Sequence, residues 1–138
     1  MTLKDESKLN NAIPRFERKI ILLVEIQAAT IEAVEQYLHV TGALVETVDS
    51  LAAAGERLAF FTPNIIMTNL QLFQESRLTL LTQVKVYERK FNRAQIPIVA
   101  IADYSNEEGE IALDTGFQAY IRPPIEAASL YAAISQFI

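Results

Sequence analysis

Residues 19–27 read KIILLVEIQ, in which five apolar residues lie between a lysine and a glutamate. An uninterrupted apolar run of this length is typical of a parallel β-strand whose two faces are both covered by helices. Apolar residues then return every three or four positions from Ala28 to Val40, which predicts an amphipathic helix. Gly42 follows where a helix often ends in the left-handed conformation. This part of the chain therefore predicts one strand followed by one helix.

The same alternation of strand and helix continues along the rest of the chain. Further strands are predicted at Leu44 to Val48, Ile65 to Thr68, Pro97 to Ile101 and Gln118 to Ile121. Further helices are predicted at Leu51 to Phe60, with Ser50 as its cap, and at Arg77 to Asn92, Ser105 to Gly116 and Ile125 to Ile138. Alternating strands and helices need crossover connections, which give a parallel sheet with helices on both faces. We predict an α/β fold, a doubly wound five-stranded parallel sheet of the flavodoxin-like order 2-1-3-4-5.

Length and composition indicate a single domain. The chain has 138 residues, of which 51% are apolar, and this is enough for one continuous core. Residues 1–17 are largely polar, mixed in charge and include Pro14, so we assign them to an N-terminal extension. Residues 18–138 are assigned to the folded domain.

Charge and residue types exclude several classes of function. The formal net charge of -5 argues against direct binding of nucleic acid, whose phosphates attract basic surfaces. There is no cysteine and a single histidine, His39, which excludes disulfides, thiolate catalysis and multi-histidine metal sites. The longest apolar runs are too short to cross a bilayer, and the first residues lack the pattern of a signal peptide. We expect a cytoplasmic protein that binds neither nucleic acid nor membrane.

Four segments resemble those of a known family. They are KIILLVEIQ at 19–27, PNIIMTNLQL at 63–72, IPIVAIAD at 96–103 and TGFQAYIRPPI at 115–125. Their order and spacing resemble the CheY-like receiver domains of response regulators, over about residues 19–138. In that family an acidic pair after the first strand holds Mg²⁺, and an aspartate ending the third strand accepts a phosphoryl group. A threonine or serine ending the fourth strand and a Lys-Pro pair after the fifth complete the site.

This sequence departs from the receiver pattern at nearly every one of these positions. The acidic pair has become Glu25-Ile26, the acceptor position is Asn69, the threonine or serine position is Ala102 and the lysine position is Pro123. An amide cannot form an acyl phosphate, and hard Mg²⁺ needs several carboxylate oxygens. Ala102 and Pro123 offer no hydroxyl or ammonium group to the phosphoryl charge. The resemblance therefore implies a degenerate pseudo-receiver with no catalytic residue, no metal and no cofactor.

Some residues near the predicted site leave alternatives open. Tyr120 matches the switch aromatic of receivers, and Pro124 matches a proline that often follows a cis bond in the family. Without a phosphoryl trigger, Tyr120 is equally consistent with a fixed packing residue. Glu25, Asn69 and Asp103 could surround a cation, although a hydrogen-bonded loop cluster is the more common arrangement for such residues.

The last predicted helix suggests a surface for a partner, since it carries no charged residue after Glu126. A helix packed on a sheet buries only one stripe, so this helix should leave apolar residues exposed. Receivers commonly dimerise or contact output domains through the fourth helix, fifth strand and fifth helix. We predict a protein partner or a homodimer there, with Leu130, Tyr131 and Ile134 in the interface. A well-buried helix with exposed alanines is the alternative.

Together these features predict a non-phosphorylatable signalling domain of a two-component-type system, one that acts by protein–protein interaction and is not an enzyme. The alternative is a flavodoxin-like small-ligand-binding protein or enzyme on the same fold. Against that alternative, no glycine-rich phosphate loop follows the first strand, where residues 27–30 read QAAT. No nucleophile and base form a recognisable pair either. A yellow colour of the purified protein, from bound flavin, would favour the alternative.

Overall fold

The computed structural model describes residues 13–69, 84–86, 88–89, 95–102 and 116–138. Five strands form one parallel sheet in the order β2-β1-β3-β4-β5. The strands are β1 (Ile20–Val24), β2 (Leu44–Val48), β3 (Ile65–Asn69), β4 (Ile98–Ile101) and β5 (Ala119–Ile121). The helices with described bounds are α1 (Ala28–His39), α2 (Leu51–Leu58) and α3 (Ala127–Ser135). The predicted doubly wound sheet of order 2-1-3-4-5 is confirmed.

The strands differ in burial as their places in the sheet require. All residues of β3 and β4 are buried, and so is every residue of β1 after Ile20. β2 lies at an edge of the sheet and is only partly buried. The predicted bounds of β1 and β2 are confirmed. β3 is one residue longer than predicted, because Asn69 still pairs with Ile101 of β4.

Helices on the two faces of the sheet form two apolar cores. α1 and α3 share one core, in which Leu38 packs in the same cluster as Leu130 and Ile134. α2 supplies the other core, through Leu58 among others. Val84 also belongs to this second core. Successive residues of β1 alternate between the two clusters, as the two-residue period of a strand demands.

The predicted signals at helix ends act as expected. Gly42 follows α1 with a φ of 85°, in the left-handed region that favours glycine. Ser50 caps α2, since its Oγ accepts a hydrogen bond from the N–H of Ala53 at 3.1 Å. The helices are a little shorter than predicted, with α3 beginning at Ala127 and ending at Ser135. Helix ends of this kind fray, and the periodic pattern does not show where they stop.

Phe16 lies inside the first core, although the sequence predicts it to lie in the N-terminal extension. The residue is 4% exposed, and its ring meets the ring of Tyr131 edge-on, with 6.5 Å between the centroids. Its N–H donates to the carbonyl oxygen of Thr41 at 2.8 Å. The boundary predicted between residues 17 and 18 is therefore wrong for Phe16, whose aromatic ring is buried with the domain.

Two of the predicted helices fall wholly or mostly outside the described residues. The helix predicted at Arg77 to Asn92 is described at 84–86 and 88–89, which are helical. The one predicted at Ser105 to Gly116 is not described before residue 116. Across the ranges that are described, no helix has the length and apolar character needed to cross a membrane.

Candidate functional site

The predicted site residues lie at one edge of the sheet, where the parallel strands all have their carboxyl ends. Glu25 directly follows β1, and Asn69 is the last residue of β3. Ala102 follows β4, and Pro123 lies two residues beyond β5. This edge includes the point where the strand order reverses, because β1 has β2 on one side and β3 on the other.

The side chains of Glu25 and Asn69 bind each other across the ends of β1 and β3. Nδ2 of Asn69 donates to Oε1 of Glu25 at 3.0 Å and to Oε2 at 2.9 Å. Both residues are buried, with 1% and 4% exposure. The amide must present its nitrogen here, because its carbonyl oxygen would face two carboxylate oxygens. A neutral amide therefore satisfies both oxygens of a buried carboxylate.

Two backbone N–H groups complete the surroundings of the Glu25 carboxylate. Those of Ile26 and Gln27 donate to Oε2 at 2.9 and 3.2 Å. The N–H of Glu25 itself donates to the carbonyl oxygen of Val48 at 3.0 Å. Glu25 thus connects β1 to β3 through its side chain and to β2 through its backbone. In the described part of the chain, no cationic side chain forms a salt bridge with it.

Ile26, which the resemblance matches to the second residue of the acidic pair, is 56% exposed. Its side chain carries no oxygen, so the only carboxylate directly after β1 is that of Glu25. An isoleucine with this exposure is compatible with a loop at the surface. We call the region around Glu25, Ile26 and Asn69, at the ends of β1 and β3, the crevice.

These residues do not fit the Mg²⁺ ion that the resemblance implies for receivers. Mg²⁺ demands near-octahedral oxygen ligands at about 2.0–2.1 Å. Both oxygens of Glu25 already accept hydrogen bonds, and Asn69 turns N–H donors towards them. Among the described residues there is no group of three acidic, histidine or cysteine side chains that could hold an ion. Asp103, weighed above as a further ligand, lies outside those residues.

Thr68 is a residue of the site region that the sequence does not single out. It is 1% exposed, and its Oγ1 has no hydrogen-bond partner. In the sheet Thr68 pairs with Val24 of β1 on one side and with Ala100 of β4 on the other. Ala100 in turn pairs with Tyr120 of β5. In the run IIMT a threonine looks like any β-branched strand residue. Only the structure shows that this hydroxyl is buried and that its strand neighbour is the small Ala100.

The two residues that the resemblance matches to receivers, Tyr120 and Pro124, lie in β5 and in the turn after it. Tyr120 is partly buried and packs against the second core. The peptide bond between Pro123 and Pro124 is cis, as the resemblance implied. An open depression of about 530 Å³ runs along this turn, lined by Tyr120, Ile121, Arg122, Pro123, Pro124, Glu126 and Ser129.

Two of the three interface residues predicted on the last helix are buried in the domain itself. Leu130 and Ile134 are fully buried in the first core, so their prediction as interface residues is wrong. Tyr131 is partly buried, and its hydroxyl donates to the carbonyl oxygen of Tyr37 at 2.8 Å. Burial, and after it the neighbouring Tyr37, raises the pKa of Tyr131 above the usual tyrosine value. Tyr131 is thus bound to α1 and does not stand free on the surface.

Comparison with known proteins finds similar solved structures but no protein that matches by sequence. No family model matches the chain, and no curated protein matches it. The receiver domain of the sensor histidine kinase PA1611 from Pseudomonas aeruginosa, solved with magnesium in its active-site cleft, matches with a TM-score of 0.70. Its sequence identity is 18%, and the match covers 86% of this chain and 96% of that chain.

Two further solved structures show the same likeness. A chain of the complex between Saccharomyces cerevisiae Ypd1 and the receiver domain of Ssk1 has a TM-score of 0.74 at 20% identity, covering 91% of this chain and 90% of that chain. HP1043, an orphan response regulator of H. pylori, has a TM-score of 0.66 at 22% identity, covering 89% and 98%. Identities this low carry the fold alone. The chain has the CheY-like fold of response-regulator receiver domains.

Proposed function

We propose that the chain is a non-phosphorylatable pseudo-receiver in a cytoplasmic two-component-type regulatory system, acting by binding a partner protein and not as an enzyme. The observation that carries the proposal is Asn69 at the end of β3, whose amide donates to both oxygens of Glu25. Phosphoryl transfer to this position needs a carboxylate that can attack phosphorus. An amide already bound to a neighbouring carboxylate cannot supply that nucleophile.

The positions around Asn69 support the same proposal. Ile26 brings no second carboxylate for a metal ion, and Ala102 brings no hydroxyl. Pro123 brings no ammonium group to the developing charge. Each loss alone would weaken phosphoryl transfer, and together they remove the metal site, the nucleophile and the groups that stabilise charge.

For the partner surface we propose the outer face of α3, formed by Ala128, Ala132 and Ser135. All three are exposed, and they lie on one side of the helix at i, i+4 and i+7 spacing. The face carries no charge, which suits a surface that loses water on binding. The Ypd1–Ssk1 complex offers a precedent for a receiver domain that binds another protein.

The test is incubation with a small phosphodonor and Mg²⁺, followed by intact-mass measurement. The wild type should gain no phosphoryl group. A combined Ile26→Asp, Asn69→Asp, Ala102→Thr and Pro123→Lys variant serves as the matched control, because it restores each missing group on the same scaffold. A stable phosphoryl adduct on the wild type, mapped to this crevice, would overturn the proposal.

A further inference from the structure

The hydrogen bonds around Glu25 place a nitrogen atom where a bound cation would lie. Nδ2 of Asn69 is nearly equidistant from the two carboxylate oxygens, at 3.0 and 2.9 Å. A cation held by both oxygens of a carboxylate also lies near the line that bisects them, at a shorter distance of about 2.3–2.6 Å for Ca²⁺. The amide hydrogens direct partial positive charge at the same point in space.

The backbone supplies further hydrogen bonds to the carboxylate. Oε2 accepts from the backbone N–H groups of Ile26 and Gln27 in addition to the amide. A buried carboxylate needs such donors, because burying its charge without partners is strongly unfavourable. With 1% of Glu25 exposed, water supplies little of this stabilisation. Asn69 is therefore the side chain that most directly balances the Glu25 charge in the described part of the crevice.

We propose that the amide of Asn69 takes the place of a cation and closes the crevice, so that the ends of β1 and β3 are held in one arrangement without any metal ion. The wild-type domain neither binds Mg²⁺ there nor changes state when the ion is added. This inference rests on the proposed function in one respect. If the chain is a pseudo-receiver, its partner binds a domain that keeps a single conformation at the ends of β1 and β3.

The inference predicts what a single isosteric change would do. Asn69→Asp exchanges the amide for a second carboxylate within about 3 Å of the first, and two such groups do not both ionise without a compensating charge. The variant should lose stability in the absence of divalent ions and recover it when Mg²⁺ fills the gap. This one substitution should therefore make the stability of the domain depend on Mg²⁺.

Thermal melts at about pH 8, where isolated carboxyl groups are ionised, test this directly. In EDTA the Asn69→Asp variant should melt several degrees below the wild type, and millimolar Mg²⁺ should recover most of the difference. The melting temperature of the wild type should be the same in both solutions. Calorimetric titration of the wild type with Mg²⁺ should show no binding heat.

Two control variants separate the specific effect of the Asn69–Glu25 contact from the general effect of adding a negative charge. Asn64→Asp makes the same change at the opposite end of β3, where Oδ1 of Asn64 accepts from the N–H of Ile20 at 2.8 Å. Its melting temperature should not depend on Mg²⁺. The double variant Glu25→Gln, Asn69→Asp keeps one carboxylate and one amide with their places exchanged. It should also melt independently of the ion.

The outcomes distinguish this inference from the proposed function. Mg²⁺ binding by the wild type without phosphoryl uptake would overturn the inference and leave the pseudo-receiver proposal standing. Phosphoryl uptake by the wild type would overturn the proposed function. An Asn69→Asp variant as indifferent to Mg²⁺ as the wild type would also overturn the inference. Should that variant not fold in either solution, the wild-type titration and the double variant still decide.

Discussion

Two buried threonines, Thr41 and Thr68, differ in the hydrogen bonding of their hydroxyl groups. The hydroxyl of Thr68 has no hydrogen-bond partner, whereas that of Thr41 donates to the carbonyl oxygen of Leu38 and accepts from the N–H of Ala43 at 3.3 Å. Both residues are nearly inaccessible to solvent. A buried polar group without a partner costs about 1–3 kcal/mol, and a satisfied one contributes about 1 kcal/mol. The Thr68 hydroxyl should therefore lower the free energy of unfolding, and the Thr41 hydroxyl should raise it.

At the residue scale we expect Thr68→Val to raise the free energy of unfolding by about 1 kcal/mol, because a methyl group replaces an unsatisfied hydroxyl of nearly the same shape. Thr41→Val is the matched control and should lower the free energy of unfolding by about 1–2 kcal/mol, since it leaves the N–H of Ala43 without its acceptor and removes one donor to the carbonyl oxygen of Leu38. Urea denaturation of both variants measures the effect. Equal destabilisation by the two changes would show that the Thr68 hydroxyl is engaged in the folded protein.

The connection between α1 and β2 depends on a glycine that two independent constraints require. Gly42 has a φ of 85°, and its N–H donates to the carbonyl oxygen of His39 at 3.1 Å. A Cβ atom built on Gly42 would lie 2.8 Å from Cγ and 3.3 Å from Cα of Glu17. The turn that ends α1 thus also packs against the segment that leads into β1.

At the element scale Gly42→Ala should lower the free energy of unfolding by more than about 1 kcal/mol, because the new methyl group meets both a left-handed backbone and the Glu17 backbone. Gly55→Ala, within α2, is the control and should instead raise it by up to about 1 kcal/mol, since alanine favours a helix. Chemical denaturation would show the opposite signs. Equal and small effects at both positions would contradict the importance of this turn.

The packing of α3 against the rest of the molecule determines which of its residues can meet a partner. Tyr131 links this helix to α1 and Phe16, so a charge at this position would disturb folding as much as association. The exposed alanines on the outer face of α3 are free of this coupling. They are the positions at which a charge tests binding alone.

At the scale of the whole molecule we expect Ala132→Glu to weaken self-association or partner binding by at least tenfold, since it buries a charge in an apolar interface. Ala52→Glu, at an exposed position of α2, should leave binding unchanged. Both variants should melt close to the wild type. Light scattering across a dilution series and affinity capture from the native cell measure the two kinds of binding. Identical behaviour of all three proteins would remove the outer face of α3 as a binding surface.

Local features of the sequence were enough to predict the sheet, and the resemblance placed the candidate site at the ends of its strands. The predicted bounds 20–24 and 44–48 match β1 and β2 residue for residue. β1 is an unbroken apolar stretch, as a strand covered on both faces requires, whereas β2 lies at the sheet edge and includes Glu46 and Thr47. Gly42 and Ser50 marked helix ends through their own conformational and hydrogen-bonding preferences. The residue type at position 69 is an amide, and only the resemblance to receivers implies that a carboxylate is expected there.

Contacts between distant parts of the chain could not be predicted in this way. The hydroxyl of Tyr131 meets the carbonyl oxygen of Tyr37 across a separation of 94 residues. The sequence places Asn69 and Glu25 near each other, but it does not predict that one amide nitrogen donates to both carboxylate oxygens. Leu130 and Ile134 are apolar whether they face a core or a partner, so their pattern could not tell one from the other. The pairing of β1 with β3 brings Asn69 to Glu25, and the packing of helices on the sheet brings Tyr131 to Tyr37 and buries Leu130 and Ile134. Such contacts depend on register and on the angle at which elements meet.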